Sequence, residues 1–195
     1  MPGRTESEAA PRRRAGDRPA GAADCYEWME AFIASLIVVT VLFTFFFRIV
    51  DVSGPSMLPT LHSGDRVVLS GRFSGPRQGD VVVIAHTAKL REPIIKRIIA
   101  LENQTVDIDF RAGVVYVDGK ALDESAYIRN GITKQSSDYR YPLTVPKGHV
   151  FVLGDNRAVS NDSRSSDVGM VDERDICGKA EIVVFPFRDF GRIKG

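Results

Sequence analysis

The sequence predicts a mainly β domain behind one apolar helix, and three observations carry that fold class. A run of seventeen residues without a charge, Ala31–Phe47 (AFIASLIVVTVLFTFFF), stands near the amino terminus. After Val50 the pattern changes to short runs rich in Val, Ile and Phe, separated by Gly, Pro, Asp and Asn. Their spacing of about ten residues is that of an all-β sandwich or barrel. Ahead of the apolar run, residues 1–20 hold no aromatic residue and only Thr5 as a β-branched one. Such a stretch cannot bury enough surface to offset its ordering entropy and is expected to be disordered.

Size and charge narrow the class. A chain of 195 residues and 21.5 kDa leaves room for one ordinary domain and an anchor, not for two large domains. Lys and Arg number 26 and Asp and Glu 25, a balance that argues against a nucleic-acid protein. Two cysteines exclude a disulfide scaffold and a four-thiolate zinc site, and none of the three histidines stands at HExxH spacing.

Extended from Ala31 to Val50, the apolar stretch makes roughly 30 Å of helix, enough to cross a bilayer. From Ala31 to Phe47 only Ser35, Thr40 and Thr44 are polar, so the stretch lacks the polar face of a soluble helix. Arg48 is placed to snorkel, and Tyr26 and Trp28 to sit in an interfacial belt. A cleaved secretory signal has an apolar core of about 7–15 residues and small residues at its end. This segment is longer and closes in FFFRIVDV, so it reads as a retained anchor. Arg4, Arg12, Arg13, Arg14 and Arg18 precede it, whereas only Arg48 and Arg66 follow closely, which places the tail in the cytoplasm. The organisation expected is a disordered cytoplasmic tail over residues 1–24, a single transmembrane anchor over 25–50 and an extracytoplasmic domain over 51–195. Cys25 and Cys177 then lie on opposite sides of the membrane and cannot pair.

Strands are expected at Arg66–Leu69, Asp80–Ala85, Ile94–Leu101, Thr105–Ile108, Val114–Val117, His149–Leu153 and Ala180–Phe185. Asp118-Gly119 tolerates positive φ and joins Val114–Val117 to Lys120–Leu122 as a hairpin. Ser125–Pro142 is polar and reads as an exposed excursion. Phe185, Phe187 and Phe190 (VVFPFRDF) are read as core or strand residues in preference to a patch that dips into the lipid interface.

Three clusters hold candidate chemistry. In SGPSMLPTL (Ser53–Leu61), Gly54, Pro55 and Pro59 impose a turn that presents Ser56 at its apex. Taken alone, it is equally a surface turn with Met57 and Leu58 as plugs. In IIKRIIA (Ile94–Ala100), strand alternation puts Lys96 between Ile94 and Ile98 on one face, and Arg97 between Ile95 and Ile99 on the other. An edge strand protected by Lys fits this pattern. So does a lysine desolvated by its neighbours, whose pKa falls from about 10.4 and which serves as a general base. GDNRAVSNDSR (Gly154–Arg164) reads as an ordered polar wall or as a plain polar loop; its ligand spacing excludes an EF-hand. No histidine is placed to activate Ser56 and the G-x-S-x-G pattern is not met, whereas lysine fills the base role in Ser-Lys variants of the triad.

In this order, behind an amino-terminal anchor, SGPSMLPTL, GDVVVI, IIKRIIAL and GDNR…S.DSR resemble the bacterial type I signal peptidases over about residues 50–190. The resemblance implies a mainly β, signal-peptidase-like catalytic core with a smaller inserted β region at about 102–145, preceded by one transmembrane helix. It implies a serine endopeptidase that cleaves signal peptides after small residues at −3 and −1. Ser56 is the implied nucleophile, Lys96 the general base, and Ser160 the hydroxyl that orients the lysine. Arg97, Asp155, Asp162 and Arg164 brace the site, and Val52, Met57, Leu61, Ile94 and Ile95 line the shallow pockets. Gly54 stands where many members carry a serine whose hydroxyl completes the oxyanion hole, and Ala158-Val159 replaces a frequent Asp-Asn. No cofactor and no metal are implied. The implied partners are signal-peptide-bearing pre-proteins, the lipid bilayer and the neighbourhood of the export machinery, with no nucleic acid, at the bacterial plasma membrane. Two other readings remain open from the residues: a self-cleaving Ser-Lys protease, and an inactive module that grips exported peptides at a sheet edge.

Overall fold

The computed structural model describes residues 20–70 and 75–194, with side chains within the first helix described for 24–41. The expected disordered tail therefore lies outside the described residues up to position 19. Helix α1 runs from Ala20 to Phe46, so it begins before the expected anchor and ends short of it. Its described side chains are exposed all round, and Asp24, Glu27 and Glu30 lie in its first half. Among the described residues, no helix is long and apolar enough to cross a membrane.

Residues 43–195 form a second unit, and this unit is mainly β. In order its strands are β1 (Phe47–Asp51), β2 (Arg66–Ser70), β3 (Val81–Ile84), β4 (Ile94–Ala100), β5 (Thr105–Asp109), β6 (Val114–Val117), β7 (Lys120–Ala121), β8 (Leu143–Thr144), β9 (His149–Leu153), β10 (Val171–Asp172), β11 (Ile176–Phe185) and β12 (Gly191–Arg192). The larger sheet has eight strands in the order β1-β2-β11-β3-β4-β9-β10, with β12 on β11. The smaller, β7-β6-β5-β8, lies between β4 and β9 in the chain. All recorded pairings are antiparallel.

Strand β1 is a departure from the sequence reading. Phe47–Val50 continues the apolar run, yet it pairs with β2 from Phe47↔Ser70 to Asp51↔Arg66. The run is apolar enough for helix or strand, and the edge offered by β2 decides. Strand β11 starts at Ile176, four residues earlier than expected, because Ile176–Lys179 pairs with β3.

The larger sheet is covered on both faces. Val67, Leu69, Val81, Val83, Ala180 and Val183 gather with Val52, Met57 and Leu61 in one core cluster. Val82, Ile84, Ile98, Val150 and Val152 form another. A third, with Ile99, Phe151 and Leu153 from β4 and β9 and Val106, Val115 and Val117 from the small sheet, joins the two sheets. β4 runs through all three, with Ile95 against the first, Ile98 in the second and Ile99 in the third. Every position from Lys96 to Ala100 is consequently buried, including both cations.

Segment 125–142 is mostly exposed, as expected, and is anchored at its centre. Ile128 and Thr133 are buried, and Tyr127 lies over Arg97 with its ring centroid 3.8 Å from the guanidinium carbon. Of the phenylalanines read as core or strand residues, Phe185 is the last residue of β11, though half-exposed, whereas Phe187 and Phe190 depart from the reading, at 83% and 64% exposed. Their surroundings beyond Pro186 are the surface 3-10 turn Phe187–Asp189, whose residues are all exposed.

Candidate active site

The loop that carries Ser56 is built between β1 and β2. Val52 N–H donates to Asp65 O at 2.8 Å and Gly64 N–H returns to Val52 O at 2.9 Å, which closes the loop at its base. Buried Asp65 accepts from His62 N–H at 2.8 Å. Gly54 has φ +86°, a left-handed conformation that disfavours any side chain, and its N–H donates to Ser63 Oγ at 3.3 Å. Met57 and Leu61 drop into the core cluster, and Leu61 N–H closes a turn on Met57 O at 2.9 Å. Ser56, just ahead of them in the turn, remains half-buried.

Lys96 reaches this loop from the middle of β4, where it is opposite Val82 of β3. Its Nζ donates to Ser56 Oγ at 2.9 Å and to Ile95 O at 3.0 Å. Only 3% of the residue is exposed. Burial lowers its pKa from 10.5 to about 8, against the opposing pull of the Asp162 and Asp155 carboxylates. Desolvation wins because each carboxylate is already neutralised by an arginine of its own.

Those arginines form the frame. Arg97, wholly buried, makes a two-pronged pair with Asp155, Nε to Oδ1 and Nη2 to Oδ2, both at 2.8 Å. Its Nη1 donates to Gly79 O at 2.7 Å and to Lys194 O at 2.8 Å. Asp155 also accepts from Thr60 Oγ1, which ties the frame to the Ser56 loop. Arg164 pairs with Asp162 through Nε at 2.8 Å and Nη2 at 2.9 Å, and Asp162 accepts Gly154 N–H at 3.0 Å. A third buried pair links Arg157 to Glu124, with Thr133 Oγ1 as a further acceptor. Arg157 Nε also holds Gly154 O at 3.1 Å. With their charges matched and most donors used, these guanidinium groups are tolerated inside the fold.

The loop after β9 clamps the Ser56 loop directly. Asn156 N–H donates to Ser56 O at 3.0 Å, and Asn156 Nδ2 donates to Pro55 O at 3.1 Å. Gly154 makes the approach possible. A Cβ built there would lie 2.5 Å from Ser56 O and from Ser160 Cβ, and closer still to Ser160 Oγ.

The structure therefore brings together Ser56, Lys96, Asp155, Arg97, Asp162 and Arg164. It departs from the other expectations in two places. The hydrogen bond from Ser160 to Lys96 is not formed: Ser160 Oγ is buried without a partner, and the ammonium uses Ile95 O instead. Val52, Met57 and Leu61 are core residues with almost no free surface, because a turn with apolar side chains buries them beneath itself. Ile94 and Ile95 are half-buried and pack against different clusters.

Sequence reasoning missed Thr60, Glu124, Tyr127, Thr133, Asn156 and Lys194. Of these, Asn156 was visible, like Arg157, only as a member of a polar loop. Asp155 and Arg157, two apart, are not partners, since each pairs with a distant residue; Asp162 and Arg164 are. Among the described residues, one group of potential metal ligands converges, His62, Asp65 and Asp189, with ligand atoms within 4.8 Å of one another. Asp65 is engaged by His62 N–H and the other two residues are exposed.

A serine held against a desolvated lysine, on a β scaffold braced by buried arginine–carboxylate pairs, is the arrangement of a serine hydrolase that works without histidine. Residues 25–185 match the family described as signal peptidase, peptidase S26, and the chain belongs to that family. It is accordingly an enzyme, a serine peptidase of the signal peptidase I type. Signal peptidase I of Bacillus licheniformis is 33% identical over 174 residues, covering 84% of this chain and 90% of its relative. A probable signal peptidase I-1 of Synechocystis sp. is 38% identical over 149 residues, 71% of each chain. A crystal structure of a signal peptidase I from Enterococcus faecalis, 27% identical, covers 54% of this chain and 97% of its own, with a TM-score of 0.44.

Proposed function

We propose that the chain is a membrane-anchored endopeptidase that removes amino-terminal signal peptides from exported pre-proteins, cutting after small residues at −3 and −1. The observation that carries the reading is the 2.9 Å contact between Lys96 Nζ and Ser56 Oγ, made by a lysine whose pKa burial lowers to about 8. In its neutral form Lys96 takes the proton from Ser56 Oγ, and Oγ attacks the scissile carbonyl carbon. The carbonyl electrons move onto oxygen, for which Ser56 N–H is the donor in this reading. Collapse of the tetrahedral intermediate breaks the peptide bond, and the Lys96 ammonium returns its proton to the leaving amine. The signal peptide is then an ester on Ser56. Lys96, neutral again, takes a proton from water, and the attacking hydroxide frees the carboxylate and restores Ser56.

Several features support the anchoring. The helical side chains from Phe32 to Val41 are exposed and predominantly apolar around the whole circumference, as in a helix made for lipid. The excess of arginine before the helix places the tail in the cytoplasm and the catalytic unit outside. Phe187 and Phe190, with exposed Arg188 and Arg192 beside them, form an amphipathic patch suited to a headgroup layer. An anchored enzyme meets substrates whose apolar signals lie in the same bilayer, near the export machinery, at a raised effective concentration.

The test uses the full chain in lipid vesicles with a pre-protein reporter bearing an A-x-A site. Ser56→Ala and Lys96→Ala are each expected to abolish cleavage, and full activity in either variant would refute the dyad.

A further inference from the structure

The Arg97 guanidinium is held in its plane and over one face by different parts of the fold. Four hydrogen bonds act in the plane, two to the Asp155 carboxylate and two from Nη1 to Gly79 O and Lys194 O. One face is covered by the Tyr127 ring, whose centroid lies 3.8 Å from Cζ, a stacking distance. Tyr127 comes from the segment between β7 and β8. A turn closed by Tyr127 N–H and Ile128 N–H on Glu124 O, at 3.1 and 2.9 Å, holds its backbone, and its hydroxyl donates to Glu124 Oε1 at 3.0 Å. Burial holds that phenol far above its ordinary range, so it stays a neutral donor at working pH. Arg97 follows Lys96 in β4, and Asp155 precedes Asn156, whose N–H holds Ser56 O. The ion pair that Tyr127 covers therefore joins the strand bearing Lys96 to the loop bearing Ser56.

We propose that Tyr127 is a positioning residue for the acyl transfer: by covering the guanidinium face it keeps Arg97 on Asp155, and so keeps the charge beside Lys96 matched. The proposal rests on the peptidase reading and adds a residue to it. In-plane hydrogen bonds resist rocking out of the plane only weakly, whereas an aromatic face at contact distance blocks that motion and attracts the desolvated cation. The groups that act on Lys96 come from three sides. β3 opposes it with Val82, and the Ser56 loop meets it with Ser56 Oγ. The loop after β9 brings Asp162 and Asp155, whose charges favour the ammonium and are countered by Arg164 and Arg97. Without the ring, Arg97 rocks away from Asp155 and water enters the space, and both changes favour the protonated lysine. Lys96 is then neutral, and able to accept the Ser56 proton, only at higher pH.

The test is the pH profile of kcat/KM for an A-x-A reporter cut by the full-length enzyme in detergent, taken for the parent, Tyr127→Phe, Tyr127→Leu and Tyr127→Met. The midpoint of the acid limb reports the active molecules alone, whatever fraction of a preparation is folded. Tyr127→Leu and Tyr127→Met remove the aromatic face. Their midpoint is expected to rise by about half a pH unit or more, which lowers kcat/KM on the acid limb about threefold or more, with that loss recovered on the alkaline side. Tyr127→Phe keeps the face, gives up the bond to Glu124, and is expected to keep the parent midpoint. An unchanged midpoint in Tyr127→Leu and Tyr127→Met, with or without a loss of equal size at every pH, means that Tyr127 serves the fold alone and overturns the proposal while the peptidase reading stands. A midpoint that rises as far in Tyr127→Phe as in Tyr127→Leu overturns it as well. A parent that cleaves no reporter overturns the peptidase reading and the proposal with it.

Discussion

Replacing Lys96 by Met keeps the length of the side chain and removes its charge, and the burial of the site determines the effect on stability. In the folded chain burial brings the lysine pKa from 10.5 to about 8. At about 1.36 kcal/mol per pH unit, keeping this group protonated in its site below pH 8 costs folding about 3 kcal/mol. The folded value lies below the unfolded one. Between about pH 8 and 10.5 the unfolded chain therefore binds more protons, and native stability rises with pH across that window. Met escapes the penalty but forfeits the bonds to Ser56 Oγ and Ile95 O, together about 1 kcal/mol net because half-buried Ser56 regains water. Lys96→Met should thus be inactive and about 2 kcal/mol more stable than the parent at pH 7, with the gain gone by pH 10. Urea unfolding of the full chain in detergent, followed by circular dichroism at both pH values, measures the difference. A variant less stable than the parent at pH 7, or a gain of equal size at pH 7 and 10, would refute the claim that the site holds its lysine against the cost of burial.

Three further outcomes are expected. Since the base must be neutral, kcat/KM should rise tenfold per pH unit on the acid side and level off around pH 8; a midpoint near 6.5 that disappears in a His62, His86 or His149 variant would point to histidine instead. Gly154→Ala forces a methyl group against Ser56 O and the Ser160 side chain, and because the former is backbone the nucleophile loop must shift, so kcat should fall at least about 100-fold, as a 1 Å misplacement of a reacting group can cost, with the fold retained by circular dichroism. Arg157→Met strands a buried Glu124 and should cost about 3–5 kcal/mol, whereas Arg157→Met with Glu124→Leu should cost far less than the two single changes together; additive losses in a double-mutant cycle would contradict a direct pairing.

Local patterns made β2 to β7, β9 and β11 legible, but not β1 or the two-residue strands β8, β10 and β12, and β4 carried more than a strand. Alternation placed Lys96 and Arg97 on opposite faces among isoleucines; Ile94 and Ile98 do join one core cluster and Ile95 and Ile99 others, and both cations are buried. What local pattern lacks is the partner. Arg97 meets Asp155 across 58 positions and Arg157 meets Glu124 across 33, and no spacing rule within the loop Gly154–Arg164 assigns those pairs. The same gap explains β1, whose apolar residues look like helix until β2 supplies an edge. It also explains Val52, Met57 and Leu61, since a hydrophobic residue in a turn does not announce whether it faces a ligand or the interior. Phe187 and Phe190 erred in the opposite sense, because apolarity was taken for burial where the chain had already left the sheet.

The guanidinium at the heart of the frame finds one of its acceptors, Lys194 O, 97 positions further along the chain. A ribosome makes a polypeptide from one end, so the strand that bears Arg97 is released long before that carbonyl exists. Until residue 194 has been synthesised and brought across, an inward-pointing cation is short of a ligand, and the newborn enzyme is incomplete at its centre. A chain that has not yet reached Lys194 therefore carries both Ser56 and Lys96 and still lacks one acceptor for the guanidinium next to Lys96.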